Sequence, residues 1–147
     1  MEASKRQLPP AASSVVLVDT NILVYLMIEG DRTPAAQELY ERDADWRSEA
    51  FVMVEFSNVL ATYVRSKALT YERAIKLLEK ALALVPMLTN VMHAQALETA
   101  AQFGISAYDA RFITLAEQMR AKLVTEDIKL QLAVPSWTVS LAGAVAC

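Results

Sequence analysis

Short apolar runs alternate with longer stretches of mixed polarity along most of this chain. Val15 to Val18 is a β-branched run that ends at Asp19, and this composition predicts a strand buried on both faces. Four further segments are predicted to be extended: Trp46-Arg47, Val85 to Leu88, Lys122 to Thr125 and Trp137 to Ser140.

The stretches between these runs carry apolar residues at helical spacing, and capping residues mark several of their ends. Thr33-Pro34 and Asn90 are predicted to start helices as caps, and Gly104 is predicted to end one. The predicted helices are Thr20 to Met27, Thr33 to about Arg42, Ala50 to Lys67, Thr70 to about Leu84, Asn90 to Phe103, Ser106 to about Arg120, and a short one from Asp127. This alternation predicts an α/β fold with a central parallel sheet and helices on both faces.

The length and composition suit one folded domain. The chain has 147 residues, of which 54% are hydrophobic and 21% charged, as is typical of a globular protein. Met1 to Ser14 is polar and proline-bearing, so we expect a mobile leader over 1–14 and a single domain over 15–147. The longest apolar stretch, Val15 to Ile28, is interrupted by polar residues and too short for a membrane span.

Composition also excludes several kinds of site. Three glycines are too few for a P-loop or a GxGxxG turn, and one histidine with one cysteine cannot form a structural zinc site. The single cysteine also excludes a disulfide within the chain, which favours a reducing compartment and a cytoplasmic location. A net charge of −3 disfavours a simple nucleic-acid-binding module, although bound cations would reverse the sign of a site. Carboxylates remain as the candidate chemistry.

Two acids follow predicted strands. Asp19 ends the first strand, and Asp127 follows the Lys122 to Thr125 strand. Each precedes a predicted helix, so each is a candidate N-cap. The alternative is a metal ligand, because open α/β sheets place their ligands at the carboxyl ends of strands. Either residue alone leaves both interpretations open.

Two further acids belong to predicted helices. Glu55 lies within the apolar run Phe51 to Phe56, where an ionised carboxylate is costly unless it is paired or binds a metal. Pairing with Arg65, or an outward orientation, is the alternative. Asp109 occupies the third helical position after Ser106, which fits a capping box and also directs its carboxylate out of the helix N-terminus.

These four positions predict a convergence of carboxylates. Strand ends and adjoining helix starts lie along one edge of a parallel sheet, and four neighbouring carboxylates repel unless a divalent cation is bound. Oxygen ligands favour Mg²⁺ or Mn²⁺ over zinc, and such a site suits phosphodiester hydrolysis. Arg111 and Lys129, each two residues from one of these acids, are candidates for phosphate contact, and charge balance around the acids explains them equally well.

The motifs around the acids resemble those of PIN-domain nucleases, most closely the VapC-type toxins of toxin–antitoxin pairs. The matching stretches are Val16 to Asn21, Val54 to Leu60, Ser106 to Ala110 and Leu123 to Asp127. The resemblance implies an α/β/α sandwich with strand order 3-2-1-4-5. It also implies a metal-dependent ribonuclease that cleaves single-stranded RNA, in which Asp19, Glu55, Asp109 and Asp127 bind one or two Mg²⁺ or Mn²⁺ ions and Asn21 and Thr125 support them.

The same resemblance implies two protein partners, a small antitoxin and a second copy of the chain. High apolar content also favours a homodimer. Two other functions stay open: a PIN nuclease of RNA processing or DNA repair without a toxic role, and a catalytically idle PIN-like scaffold that binds RNA or protein. The presence of all four acids disfavours the idle scaffold.

Overall fold

A parallel sheet lies at the centre of the computed structural model, which describes residues 15–146. Its strands are β1 (Val16–Val18), β2 (Trp46–Glu49), β3 (Met87–Thr89), β4 (Leu123–Val124) and β5 (Thr138–Val139). Their order is β3-β2-β1-β4-β5, and every neighbouring pair is parallel. The predicted parallel sheet and the strand order implied by the resemblance are therefore confirmed. The predicted leader over 1–14, like Cys147, lies outside the described residues.

Helices flank the sheet on both sides, so the predicted α/β/α layering is also confirmed. They are α1 (Thr20–Met27), α2 (Thr33–Arg42), α3 (Phe51–Arg65), α4 (Tyr71–Leu84), α5 (His93–Phe103), α6 (Ala107–Met119), α7 (Ile128–Ala133) and α8 (Leu141–Ala146), with a 3₁₀ turn at Pro135–Trp137. Over residues 15–146, none of these helices has the length and apolar character needed to cross a membrane.

Helix α8 was not predicted from the sequence. It consists of small and apolar residues, and it packs against α2. Leu141 is buried, and Ala144 and Val145 lie against the core. The apolar character of this tail is thereby explained by burial within the domain.

Two predicted helix caps were wrong, because each side chain has a more distant partner. Thr33 is the first residue of α2, after Arg32 at the N-cap position, and its hydroxyl donates to the backbone carbonyl of Tyr25 at 2.6 Å. The Asn90 side-chain carbonyl instead accepts from Arg111, at 2.6 Å, and Met92 holds the N-cap position of α5. The helices themselves were predicted; only the residues that start them differ.

Central strands carry the most buried part of the core. Leu17, Val18 and Leu123 are fully buried, as expected for strands covered on both faces. Trp46, at the start of β2, is also buried and meets the ring of Tyr40 edge-on, with 5.4 Å between ring centroids. This packing fixes the position of β1, β2 and β4 relative to the helices. It thereby determines where the carboxyl ends of these strands lie.

A buried ion pair ties three elements together at the end of β2. The Glu49 carboxylate is fully buried; one oxygen accepts from the Phe51 amide at 2.6 Å. The other oxygen accepts from the Val91 amide at 3.0 Å and from the Arg111 side chain at 2.9 Å. Glu49 therefore links the start of α3, the segment before α5, and α6.

We predict that Glu49→Ala destabilises the protein by about 3 kcal/mol or more, because it leaves the mostly buried Arg111 guanidinium without its counter-ion. Urea unfolding followed by circular dichroism measures this. Asp45→Ala is the matched control, since Asp45 pairs with Arg47 at the surface and exposed pairs contribute little. Equal losses in the two variants would show that the Glu49–Arg111 pair does not hold these elements together.

Candidate active site

All four acids singled out from the sequence line one cleft of about 1010 Å³. Asp19 directly follows β1, and Asp127 follows β4 after two residues. Glu55 projects from α3 and Asp109 from the first turn of α6. The predicted convergence at the carboxyl edge of the sheet is therefore present in the structure, while the roles of the four residues stay a prediction.

Asp19 is held through both oxygens of its carboxylate. Oδ1 accepts from the Thr20 amide at 2.7 Å, which caps α1, and Oδ2 accepts from the Thr125 hydroxyl at 2.7 Å. Only 8% of Asp19 is exposed. The sequence left open whether Asp19 caps a helix or faces a site; the same carboxylate does both.

Thr125 and Asn21 connect the ends of β1 and β4. The buried Thr125 hydroxyl donates to Asp19 and accepts from the Asp127 amide at 3.0 Å. The Asn21 side chain donates to the same hydroxyl at 3.4 Å and accepts from the Glu126 amide at 3.1 Å. Both residues thus lie beside the acids, where the resemblance implied supporting groups.

Glu55 is half-buried and faces Thr20, a residue that sequence analysis did not single out. The Thr20 hydroxyl donates a short hydrogen bond to the Glu55 carboxylate. The alternative pairing with Arg65 does not form, since the Arg65 guanidinium donates instead to the Thr62 hydroxyl at 3.3 Å. The signal for Thr20 was its place between Asp19 and Asn21 in a run of three polar residues after a buried strand.

Asp109 and Asp127 are also oriented by helix starts. Ser106 caps α6 by accepting from the Asp109 amide at 3.0 Å, which confirms the predicted cap. The Asp127 carboxylate caps α7 by accepting from the Leu130 amide at 3.1 Å. Both side chains are partly exposed on the wall of the cleft.

Burial and mutual repulsion favour the protonated forms of these acids. Burial raises the pKa of Asp19 from 3.8 to about 6; Glu55 and Asp109 act in the same direction, against hydrogen bonds from Thr125 and Thr20. Burial likewise raises the pKa of Glu55, with a further contribution from Asp109, against the Thr20 hydrogen bond. The pKa of Asp109 is raised by burial and then by Asp127. The cleft therefore concentrates carboxylates that form no ion pair with a cationic side chain of residues 15–146.

The donor set fits a hard divalent cation. Over residues 15–146, no lysine or arginine forms an ion pair with any of the four acids. In that part of the chain, no three acidic, histidine or cysteine side chains are already spaced to hold one ion. Glu55 instead faces the Thr20 hydroxyl, so a cation shared with Asp19 requires the Glu55 carboxylate to turn. Carboxylate oxygens are the ligands that Mg²⁺ and Mn²⁺ prefer.

The two basic candidates differ in their surroundings. The Arg111 guanidinium is directed away from the four acids, toward Glu49, Asn90 and the ring of His93. It therefore balances the charge of a fifth carboxylate, Glu49, which sequence analysis missed. Lys129 is exposed on α7, two residues after Asp127. Phosphate contact by either side chain stays a prediction.

Comparisons with known proteins agree with this architecture. A family model described as the PIN domain matches residues 16–133. Among solved structures, PAE2754 from Pyrobaculum aerophilum is similar with a TM-score of 0.75 and 20% identity, over 92% of this chain and 96% of that one. VapBC2 from Rickettsia felis, whose structure includes a bound DNA fragment from the VapBC2 promoter, is similar with a TM-score of 0.61 and 19% identity. This match covers 86% of this chain and 96% of that one. No curated protein matches the chain.

The raised pKa of Asp19 predicts a pH-dependent stability in EDTA. An acid whose pKa is higher in the folded state stabilises the fold below its ordinary pKa of 3.8, and this contribution is lost as the pH rises through about 6. The loss is on the order of 3 kcal/mol for a pKa that rises from 3.8 to about 6. Asp19→Asn cannot ionise, so its stability relative to the natural protein should increase between about pH 4.5 and pH 7.5.

Urea unfolding at both pH values measures this difference, and Asp31→Asn is the control because Asp31 is exposed and outside the cleft. The Asp31 variant should follow the natural protein at both pH values. A constant difference between Asp19→Asn and the natural protein would show that Asp19 ionises at its ordinary pKa.

Proposed function

This chain belongs to the PIN-domain family, and we propose that it is a metal-dependent endoribonuclease that cleaves single-stranded RNA. PIN domains are generally nucleases. The observation that carries the proposal is the convergence of Asp19, Glu55, Asp109 and Asp127 on one cleft without any basic partner among the described residues. Phosphodiester hydrolysis is the chemistry that such an acidic cluster serves when it binds divalent cations.

The four carboxylates would hold the cation. When bound, Mg²⁺ or Mn²⁺ neutralises charge on the phosphate and lowers the pKa of water. Asp19 offers a fixed carboxylate, because Thr125 and the Thr20 amide hold it and Asn21 in turn contacts Thr125. Glu55 and Asp109 are half-buried, so their carboxylates can face both the interior of the cleft and an incoming phosphate.

The walls of the cleft support a single-stranded substrate. Apolar and aromatic side chains lie beside the acids, among them Tyr25, Phe51 and Tyr108. Unpaired bases bind proteins by stacking on such rings, whereas paired bases are hidden within a duplex. We propose RNA rather than DNA as the substrate because of the family resemblance. A PIN nuclease of RNA processing or DNA repair is the second candidate function.

We further propose that the chain is the toxin of a toxin–antitoxin pair and acts in the cytoplasm as a homodimer. The resemblance to VapC-type toxins, together with the similarity to the VapBC2 structure, supports a small antitoxin partner for this chain. The acidic cleft gives that partner a physical means of inhibition, because the planar guanidinium of an arginine can bridge two carboxylates and compete with the cation. The homodimer and the cytoplasmic location stay predictions.

Cleavage of a fluorescent single-stranded RNA should require Mg²⁺ or Mn²⁺, stop in EDTA, and return when Mn²⁺ is added in excess. Asp19→Asn, Asp109→Asn and Glu55→Gln should each reduce turnover by about a hundredfold or more, because each removes a negative charge that would hold the phosphate-neutralising cation. Gel analysis of initial rates measures both effects.

Two exposed acids outside the cleft provide matched controls, Asp31→Asn for the aspartates and Glu79→Gln for Glu55. Both variants should cleave at the natural rate. Full activity of a highly purified sample in EDTA would contradict metal dependence, and natural turnover in any of the three cleft variants would remove that residue from the site.

Expression of the chain alone should arrest bacterial growth, because unrestrained cleavage of cellular RNA stops protein synthesis. Asp19→Asn should be harmless at the same expression level, and co-expression of a neighbouring short reading frame should restore growth to the natural chain. Growth curves with matched immunoblots measure this. If the natural chain is harmless at high expression, the toxin role fails and the RNA-processing candidate takes its place.

A further inference from the structure

A stacked aromatic pair separates the acidic cleft from a second, smaller hollow. Phe51 begins α3 and Tyr108 lies in the first turn of α6, and their rings are 5.3 Å apart with an interplanar angle of 10°. Both rings, together with Val54, line the cleft and the hollow. The aromatic pair therefore lies where an RNA strand that leaves the four acids would pass.

Tyr108 presents one open ring face. Its other face is covered by Phe51, yet 63% of the residue is exposed. The next residue is Asp109, so this open face lies one residue from an acid of the cleft. A flat, exposed ring beside a phosphodiester site is a platform on which an unpaired base can stack.

The far wall of the hollow is polar and includes Asn90, His93 and Arg111. Arginine can only donate hydrogen bonds, and its guanidinium lies 3.2 Å from His93 Nδ1 and 2.6 Å from the Asn90 side-chain oxygen. Both acceptors are thereby occupied. Because Nδ1 of His93 accepts from Arg111, Nε2 is the ring nitrogen that donates, and the Asn90 amide nitrogen supplies a second donor. The wall thus offers hydrogen-bond donors.

We propose that this hollow of about 370 Å³ binds one base of the RNA substrate, stacked on Tyr108 and chosen for a carbonyl oxygen on its edge, as in uracil. The inference rests on the proposed function and adds a base-binding subsite to it. Uracil carries carbonyl oxygens that accept from His93 and Asn90. Adenine carries an amino group where uracil has a carbonyl oxygen and accepts only through its ring nitrogens, so donors placed for carbonyl oxygens match it less well, although adenine stacks more strongly.

A nucleobase fits these observations better than a protein side chain. The hollow adjoins the acidic cleft, and Phe51, Val54 and Tyr108 line both, so one strand can pass over these residues and occupy both. The Glu49 carboxylate fixes Arg111, which in turn fixes the orientation of His93 and Asn90. A rigid donor wall opposite a flat ring matches the planar shape and edge chemistry of a base.

Binding of fluorescein-labelled hexamers of uridine and of adenosine tests the subsite. Fluorescence anisotropy is measured in Mg²⁺ with the full chain carrying Asp19→Asn, which prevents cleavage. Uridine should bind about fivefold more tightly than adenosine or better. Adding Tyr108→Ala should weaken uridine binding by about tenfold, whereas Tyr108→Phe should leave it within about twofold. His93→Ala should reduce the preference for uridine and leave adenosine binding unchanged.

Tyr71→Ala is the matched control, because Tyr71 is 65% exposed and also lies in the first turn of a helix, but lines neither the cleft nor the hollow. It should bind both hexamers as the parent does. Equal affinities of the Tyr108→Ala and Tyr71→Ala chains would overturn the subsite and leave the hollow to a protein partner. Absence of binding by the parent chain, or a preference for adenosine over uridine, would also overturn the subsite.

The cleavage assay keeps the two proposals apart. Metal-dependent cleavage with no effect of Tyr108→Ala on binding overturns the subsite alone. Binding that depends on Tyr108 without any cleavage by the natural chain overturns the nuclease alone.

Discussion

The hydrogen bond from the Thr125 hydroxyl to Asp19 joins the carboxyl ends of two neighbouring parallel strands, and the form of the acidic cleft depends on it. The same hydroxyl accepts from the Asp127 amide. One buried hydroxyl therefore fixes the positions of Asp19 and Asp127 relative to each other. The Thr125 amide also bonds to Val139, which extends the connection to β5. Parallel pairing makes this possible, because only parallel strands end at a common edge.

Two kinds of buried carboxylate lie at this edge, and their partners separate the scaffold from the site. Glu49 ends β2 and is neutralised by Arg111, with backbone amides satisfying its remaining acceptors. Asp19 directly follows β1 and is also buried, but within residues 15–146 its carboxylate has a hydroxyl and an amide as partners and no cation. Folding therefore tolerates uncompensated charge at Asp19, and a raised pKa is the physical sign of that cost.

Local pattern was enough to predict most of the elements and to single out the four acids, because Asp19 and Asp127 lie just after β-strand segments and Glu55 and Asp109 lie in predicted helices. It failed where a partner lies far along the chain. Glu49 belongs to a strand with few apolar residues, and its burial depends on Arg111, 62 positions later. Asn90 has the composition of a helix cap but contacts Arg111, 21 positions away. Such pairings follow from the packing of α6 and leave no trace in local spacing.

Calorimetric titration with Mn²⁺ at about pH 6, repeated in two buffers of different protonation enthalpy, tests most directly whether these acids form a cation site. The structure predicts saturable binding accompanied by proton release, since a cation must displace the proton that burial favours on Asp19. Asp109→Asn should bind more weakly. Absence of binding, or binding with neither proton release nor sensitivity to Asp109→Asn, would contradict the account.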